Sequence, residues 1–281
     1  MDTKKIFLET MNIIQFGQYM SNNGNIVTID ISEMLSNTKL YRTQLKCKSG
    51  SLYKTQISIC NEDTFNCADH IISMNKKVCV VNFCSERHAG GIVAWSGRAQ
   101  EESLVCRSTL AKSLYLFARH PNNINIRNLI YYQEDLFDEN FGAIFSPDVT
   151  VFRNSDYSLK DFPFKVSIIS IPALRNPKMD KDHKLQDRES SILRNKIKTI
   201  LNIAIENNLY NIVLGAIGCG AYNNPPSEIA EIFFDIIFKD RYYKNAFEHI
   251  YFAILGNENF QIFQLSLIHI SEPTRHLRIS Y

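Results

Sequence analysis

The sequence predicts an α/β sandwich in which a largely buried sheet is covered by helices. Short apolar runs of strand length alternate along the chain with longer stretches of helical periodicity, and this alternation favours a helix-covered sheet. The chain has 281 residues, which is enough to bury a large core in one α/β domain. We find no internal repeat and no interdomain linker, so a single domain is predicted.

The first half of the chain is predicted to begin with a helix and to contain a strand–loop–helix unit. The first helix covers residues 6–19, a strand follows at 26–31, and a short helix starts at Ile31. The unit begins with the apolar run 78–83, which is rich in β-branched residues. After a glycine loop, apolar residues spaced by four, four and three positions predict one continuous helix face, formed by Cys106, Leu110, Leu114 and Phe117.

The second half is predicted to continue the alternation around a second glycine loop at residues 215–222. The predicted strands are 128–133, 142–152, 166–171, 212–214 and 250–255. One amphipathic helix is centred on Ile197, and another begins with Asn224 as N-cap and Pro225 as its first residue. The buried face of that last helix is predicted to be Ile229, Phe233, Ile236 and Ile237. The polar stretch 175–190 is predicted to be a surface loop.

Composition excludes several classes of protein. The net charge of +2 gives no electrostatic signal for nucleic acid or an acidic membrane surface. The N-terminus lacks the apolar stretch of a signal peptide, and no apolar run approaches the ~20 residues that span a bilayer. An odd number of cysteines, without a CxxC pair or metal-ligand spacing, is typical of a reducing compartment. We expect a soluble, intracellular protein, cytoplasmic or nuclear, with no bound metal. The cysteines are Cys47, Cys60, Cys67, Cys79, Cys84, Cys106 and Cys219.

The end of the chain has a different character. Residues 265–275 read LSLIHISEPTR, which looks like the translation of a sequencing-library adapter. The alternative is an ordinary short tail. We therefore expect the native domain to cover residues 1–263 and residues 264–281 to be non-native, and we assign no function to His269 or His276.

The segment 80–104 resembles the signature of microbial-type poly(ADP-ribose) glycohydrolases, a branch of the macrodomain fold. In that family a strand ends in Asn-Phe, a Pro-Gly-Gly-Gly loop follows, and Gln-Glu-Glu comes after a short spacer. The matching residues here are Asn82-Phe83, Gly90-Gly91 and Gln100-Glu101-Glu102. Further matches occur in the same order at residues 19–41, 145–149, 214–222 and 252–254, so the resemblance runs from about residue 4 to 263.

This resemblance implies the fold and the reaction. The fold would be a macrodomain-like three-layer sandwich, with a central mixed sheet flanked by helices and an N-terminal helical extension. The reaction would be hydrolysis of ribose–ribose glycosidic bonds in poly(ADP-ribose), releasing ADP-ribose, without a metal or redox cofactor. The partners would be poly(ADP-ribose) or ADP-ribosylated proteins.

The resemblance also implies roles for the first loop and the helix after it. Glu102 would be the general acid/base, Glu101 would fix the ribose hydroxyls, and Gln100 would fix the loop. Gly90 and Gly91 would let the backbone approach the ligand, and Asn82 would hydrogen-bond the terminal ribose. The structural alternatives are a solvated first helical turn for the two acids and a strand-terminating polar residue for Asn82.

The second glycine loop is predicted to bind a diphosphate. Glycines expose backbone N–H groups, and a helix N-terminus follows the loop. Tyr222 would cover the distal ribose or the adenine, while the alternative for the whole segment is an ordinary turn. A nicotinamide-binding loop is not predicted, because the Gly-x-Gly-x-x-Gly spacing is missing from both loops. The predicted diphosphate residues are Gly218, Cys219, Gly220 and Ala221.

One departure from the family pattern bears on activity. The family's Pro-Gly-Gly-Gly is Ala89-Gly90-Gly91-Ile92 here, so a β-branched residue replaces the third glycine. Ile92 is expected to narrow the pocket or strain the turn and thereby to reduce turnover. Two alternatives to a polymer hydrolase therefore stay open: an ADP-ribose-binding module with weak or no catalysis, and a hydrolase that removes single ADP-ribose units. Asp148 is predicted to have a structural role.

Overall fold

The computed structural model describes residues 2–46 and 52–271, which form a seven-stranded sheet between helices and a separate two-stranded hairpin. The α-helices are α1 (Thr3–Phe16), α2 (Ser32–Asn37), α3 (Thr64–Ser73), α4 (Gln100–Arg107), α5 (Leu110–Leu114), α6 (Asp187–Glu206), α7 (Pro226–Phe234) and α8 (Asn257–Ser271). The strands are β1 (Gln18–Met20), β2 (Ile26–Thr28), β3 (Lys39–Tyr41), β4 (Gln56–Cys60), β5 (Cys79–Phe83), β6 (Ala143–Arg153), β7 (Leu159–Ile171), β8 (Asn211–Leu214) and β9 (His249–Ala253). Short 3₁₀ turns at Val93–Trp95 and Tyr115–Phe117 and a π-helical turn at Asp235–Lys239 complete the pattern.

The large sheet is mixed and has the order β3-β6-β7-β5-β8-β9-β4. Neighbouring strands from β7 to β4 are parallel, whereas β6 is antiparallel to both of its neighbours. The strand–loop–helix unit predicted from the sequence therefore begins on β5, in the middle of the sheet. The predicted α/β class with a central mixed sheet is confirmed.

Helices cover both faces of this sheet. In β5 the side chain of Val80 packs with the core formed by α1, α3, α4 and α5, whereas Cys79 and Val81 pack with the core formed by α6, α7 and α8. Alternate side chains of a strand point to opposite faces, so β5, which is apolar at every position except Asn82 and buried on both faces, belongs in the middle layer. This arrangement explains the apolar run that the sequence shows at 78–83.

The helix after the first glycine loop is shorter than predicted. The face Cys106, Leu110, Leu114 and Phe117 was expected on one helix, but α4 ends at Arg107 and Ser108 is extended, with φ −149°. Ser108 bridges to Val151 of β6, and the N–H of Thr109 donates to the carbonyl of Thr150. The backbone at this break thus bonds to the sheet instead of continuing the helix, while Cys106, Leu110 and Leu114 stay fully buried.

Other predictions also differ from the structure. The first helix, predicted over 6–19, is Thr3–Phe16, because Gly17 ends it with φ +73°, and the strand predicted at 26–31 ends at Thr28. Residues 128–133 form single bridges through Tyr131 and Tyr132 rather than a strand. Helix α7 begins at Pro226, one residue later than expected, because the side chain of Asn224 turns to carbonyl groups of the preceding loop instead of capping the helix. The polar stretch 175–190 ends sooner than expected, since α6 starts at Asp187.

The predictions on membrane spans, cysteines and the end of the chain are compared with the described residues only. Within residues 2–46 and 52–271, no helix combines the length and apolarity needed to cross a bilayer. The six cysteines in these ranges are free thiols, and Cys47 lies outside them. Helix α8 extends from Asn257 into the segment predicted to be adapter-derived, of which residues 272–281 lie outside the described ranges.

The buried guanidinium of Arg107 connects α4 to the start of α3. Its side chain is 2% exposed and pairs with Asp63 at 2.8 Å, while a second nitrogen donates to Asn66. We expect Arg107→Ala to lower the free energy of unfolding by about 3 kcal/mol or more, because Asp63 loses the partner of a largely desolvated pair. In denaturant titration, Arg119→Ala serves as the control. Its exposed pair with Glu134 should contribute at most about 1 kcal/mol, and equal losses in the two variants would contradict the prediction.

Candidate active site

The candidate site lies at the carboxyl ends of β5 and β8, two adjacent parallel strands. The first loop, residues 84–99, follows β5, and the second loop, residues 215–225, follows β8. The two loops meet at their bases, where the ring of Phe83 packs so closely on Gly215 that an added Cβ there would lie 3.1 Å from it. Ligands of open α/β sheets commonly bind where loops diverge from the carboxyl ends of such strands.

The carboxylate of Glu102 is bound by backbone N–H groups on both of its oxygens. Oε1 accepts from Ile92 N at 2.8 Å, and Oε2 accepts from Ala99 N at 2.9 Å. Glu102 is the third residue of α4 and Ala99 is its N-cap, so the second bond is the half of a capping box in which an acid binds the N-cap amide. The first bond attaches the turn of the first loop to the start of α4.

Two glycines give the Glu102 carboxylate its space. A Cβ on Gly91 would lie 2.2 Å from Glu102 Oε1, and one on Gly97 would lie 2.9 Å from the same oxygen. Gly91 also has φ +66°, in the left-handed region that glycine favours. Gly91 thus leaves room for the Glu102 carboxylate, and its predicted approach to a ligand stays a prediction. A lone glycine such as Gly97 gives no sequence signal.

The expectation of strain at Ile92 is wrong. Its φ is −106°, which an L-residue adopts readily, and its N–H is used to bind Glu102. The side chain is 44% exposed and lies beside Gly97. Since the third position of the family's glycine run does not need a positive φ here, an isoleucine is accommodated without backbone strain.

Glu101 is buried beside Glu102 and faces the first loop. Its Oε2 accepts from Ser85 N at 2.7 Å and its Oε1 from Gly90 N at 3.1 Å. Burial raises the pKa of Glu101 well above its ordinary value, and the nearby Glu102 carboxylate adds to the increase, against the opposing effect of these two hydrogen bonds. The Glu101 carboxyl is therefore able to retain its proton at a pH where an exposed glutamate has lost it.

Gln100 holds the end of β5 against α3. Its Oε1 accepts from Phe83 N at 2.9 Å, and its Nε2 donates to Val81 O and to Thr64 Oγ1, both at 3.0 Å. The side chain therefore fixes the strand from which the first loop departs. The contribution of Thr64 was not predicted, because a threonine at a helix start has no distinctive pattern.

Asn82 lies in β5 and is fully buried. Its Nδ2 donates to Ser170 Oγ at 3.0 Å, and its Oδ1 has no hydrogen-bond partner within the described residues. The Asn82 amide also acts on Glu101, where it lowers the pKa of the carboxyl. Asn82 thus acts on the charge of Glu101 from the strand, and its predicted contact with a ribose stays a prediction.

The second loop presents backbone N–H groups to solvent. The amides of Gly220, Ala221 and Tyr222 make no hydrogen bond within the described part of the chain, and Gly220 and Ala221 are exposed. Asn224 shapes this loop, because its buried Nδ2 donates to the carbonyls of Leu174, Gly218 and Tyr222. Successive free amides before a helix N-terminus form an anion-binding concavity.

The predicted site residues Gly218, Cys219 and Tyr222 also lie in this loop. Gly218 has φ +70°, and a Cβ there would lie 2.2 Å from Asn224 Nδ2. Burial raises the pKa of the Cys219 thiol to about 12, which excludes a thiolate nucleophile at neutral pH. Tyr222 is half-buried beneath the guanidinium of Arg175. Burial raises the pKa of the Tyr222 phenol, and the charge of Glu101 adds to this increase.

A cavity of about 460 Å³ adjoins the two loops on one side. Its walls include Phe83 and Gln100 from the first loop region and Gly215 and Ala216 from the second, but not the two glutamates. The acid pair therefore lies at the margin of this cavity and not within it. Asp148 does not line this cavity and lies at a β-bulge of β6 with φ +50°, and its predicted structural role stays a prediction.

The fold and this arrangement of loops define a macrodomain-like α/β protein with two buried acids at a glycine turn. The model of the family described as microbial-type PARG, catalytic domain, matches residues 8–154. This match covers more than half of the chain, and the chain belongs to that family. The resemblance predicted from the motifs is confirmed.

Solved structures agree with this assignment. The poly(ADP-ribose) glycohydrolase of Thermomonospora curvata is 25% identical with a TM-score of 0.77, over 94% of this chain and 98% of that chain. The same enzyme bound to the inhibitor ADP-HPD has the same TM-score at 24% identity, with the same coverage. The poly(ADP-ribose) glycohydrolase of Deinococcus radiodurans in complex with ADP-ribose has a TM-score of 0.66 at 24% identity, over 85% of this chain and 98% of that one. No curated protein sequence gives a significant match.

The clearance around Glu102 makes Gly91 intolerant of a side chain. We expect Gly91→Ala to lower the free energy of unfolding by more than the ~1–2 kcal/mol of left-handed strain, because the new Cβ displaces the carboxylate from Ile92 N. Gly24→Ala is the matched control for denaturant titration, since Gly24 has φ +78° but nothing within 4 Å of its Cβ position. An equal decrease in the free energy of unfolding of the two variants would show that the contact with Glu102 does not contribute to stability.

The raised pKa of Glu101 predicts a pH dependence of stability. A carboxyl that binds its proton more tightly when folded stabilises the protein below the unfolded pKa, and this stabilisation is lost as pH rises toward the folded pKa. The free energy of unfolding of the wild type relative to Glu101→Gln should therefore fall as pH rises above 4.5, the ordinary glutamate value. Urea titrations across the pH range measure this difference. A constant difference, such as exposed Glu134→Gln should give, would refute the assignment.

Proposed function

We propose that the protein hydrolyses ribose–ribose glycosidic bonds in poly(ADP-ribose) and releases ADP-ribose, with Glu102 as the general acid/base. Membership of the family supports the reaction, and relatives of the same fold are described bound to ADP-ribose and to ADP-HPD. The observation that carries the proposal is the buried pair Glu101–Glu102, held by N–H groups of the first loop.

The geometry supports a binding mode that spans both loops. The diphosphate would accept hydrogen bonds from the free backbone amides of Gly220, Ala221 and Tyr222. Such amides donate hydrogen bonds without the cost of desolvating a side chain. The ribose on the glutamate side would lie under Tyr222, whose phenol responds to the charge of Glu101. The adenosine end would occupy the 460 Å³ cavity, where apolar groups such as Phe83 can pack on the base.

The acid pair supplies the proton that the reaction needs. Cleavage passes through an oxocarbenium-like state, so the oxygen of the leaving ribose must be protonated as its bond to the anomeric carbon breaks. Glu102 would donate that proton and then accept one from the water that attacks the anomeric carbon. Glu101 would accept hydrogen bonds from the ribose hydroxyls. Alternatively, it would keep its own proton, since burial raises its pKa.

The binding-module alternative assumed that Ile92 narrows the pocket or strains the turn. The backbone at Ile92 has an ordinary negative φ, which argues against strain, whereas narrowing of the pocket stays a prediction. Removal of single ADP-ribose units differs from the proposed reaction only in what the leaving group is. A comparison of polymer with mono-ADP-ribosylated protein as substrates therefore separates these two reactions.

We expect Glu102→Gln to reduce release of ADP-ribose from poly(ADP-ribose) by about 10²- to 10⁴-fold, because the amide can neither donate nor accept the proton in transit. The assay follows ADP-ribose released from labelled polymer. Calorimetry with ADP-ribose should show that the variant still binds, since the second loop and the cavity are unchanged.

The control is Glu134→Gln, a substitution at an exposed glutamate paired with Arg119, which should leave the rate unchanged. Release by the wild type no faster than by Glu102→Gln would remove the catalytic role. If the wild type also bound ADP-ribose in that case, the binding module would be the correct function.

A further inference from the structure

A cluster of two thiols and a carboxylate lies where β4 passes into α3, outside the acid pair. Cys60 is the last residue of β4, Glu62 lies in the connecting turn, and Cys67 is in the first turns of α3. The two sulfur atoms are 3.6 Å apart, and one ligand atom from each of the three residues lies within 4.8 Å of the others. The spacing of these residues along the chain shows no metal-ligand pattern, because only the strand–turn–helix geometry brings them together.

The separation of the two sulfur atoms is close to that in a tetrahedral metal site. With Zn–S bonds of about 2.3 Å and a tetrahedral angle, two coordinated sulfur atoms are separated by about 3.8 Å. Thiolate ligands select thiophilic cations such as Zn²⁺ over Mg²⁺ or Ca²⁺. We propose that Cys60, Cys67 and Glu62 bind one thiophilic divalent cation, of which Zn²⁺ is the representative, with a water molecule as the fourth ligand.

Burial and a fourth residue favour this assembly. Cys67 is buried, whereas the Glu62 side chain is 25% exposed, so the cluster has a closed inner side and an open outer side. His70, one turn beyond Cys67, has its Nδ1 3.3 Å from Glu62 Oε2. A histidine that binds one carboxylate oxygen leaves the other oxygen for a metal and fixes the orientation of the group.

The cluster adjoins the wall of the cavity at the candidate active site, and Thr64, between Glu62 and Cys67 in the chain, is hydrogen-bonded to that site. Glu62, Asp63 and Thr64 line the 460 Å³ cavity, and Thr64 Oγ1 accepts from Gln100 Nε2. A cation on Cys60, Glu62 and Cys67 would therefore fix the cavity wall that leads to the acid pair. Binding is a balanced exchange, in which Zn²⁺ displaces one proton from each thiol and two protons enter the solvent.

Metal titration of the reduced, metal-free full-length protein tests the proposal. We expect about one Co²⁺ per chain, with a sulfur-to-cobalt charge-transfer absorption that Zn²⁺ abolishes by displacement. Cys60→Ser and Cys67→Ser should each weaken binding by at least about tenfold. Cys219→Ser is the matched control, because Cys219 is half-buried like Cys60 but lies outside the cluster, and it should bind one equivalent.

A second measurement needs no variant and so does not depend on the folding of the substituted proteins. Zn²⁺ should slow alkylation of Cys60 and Cys67, mapped by mass spectrometry, and leave that of Cys219 unchanged. The absence of the charge-transfer band in the wild type, or its persistence in both cysteine variants, would overturn the proposal. A Cys60–Cys67 disulfide formed on mild oxidation, without Co²⁺ uptake by the reduced protein, would identify a redox pair instead. None of these readouts depends on glycohydrolase activity.

Discussion

The hydrogen bonds from Ile92 N and Ala99 N to the Glu102 carboxylate are the constraint on which the rest of the site depends. They join the turn of the first loop to the start of α4, and they place a carboxyl group at a glycine turn. Gly91 and Gly97 are glycines because a side chain at either position would meet this carboxylate. Glu101, the preceding residue on the same helix, is thereby directed to Ser85 N and Gly90 N.

Two buried acids at one turn need a rigid frame, and the surrounding polar network supplies it. Gln100 connects the end of β5 to Thr64 at the start of α3, and Arg107 connects the end of α4 to Asp63, the N-cap of α3. Helices α3 and α4 are thus joined at both ends of α4. Such a frame keeps the acids apart from bulk water and preserves the high proton affinity of Glu101.

Much of this could be predicted from the sequence, and the failures have physical causes. Motif order gave the family, the acid pair and both glycine loops, because glycines and paired acids leave a local pattern. The break at Ser108 depends on a bridge to Val151, and the position of Asn224 depends on carbonyls of the second loop. Strain at Ile92 was inferred from glycine in relatives, but its φ is set by the turn and is negative. The thiol cluster depends on long-range packing that spacing does not show.

A crystal structure of the protein with ADP-ribose bound tests the central claim most directly. The account predicts the diphosphate on the amides of residues 220–222 and a Glu102 oxygen within hydrogen-bonding distance, about 3 Å, of the oxygen on the anomeric carbon. A complex in which the Glu102 oxygens face away from that carbon, or in which the sugar lies outside the first loop, would contradict it.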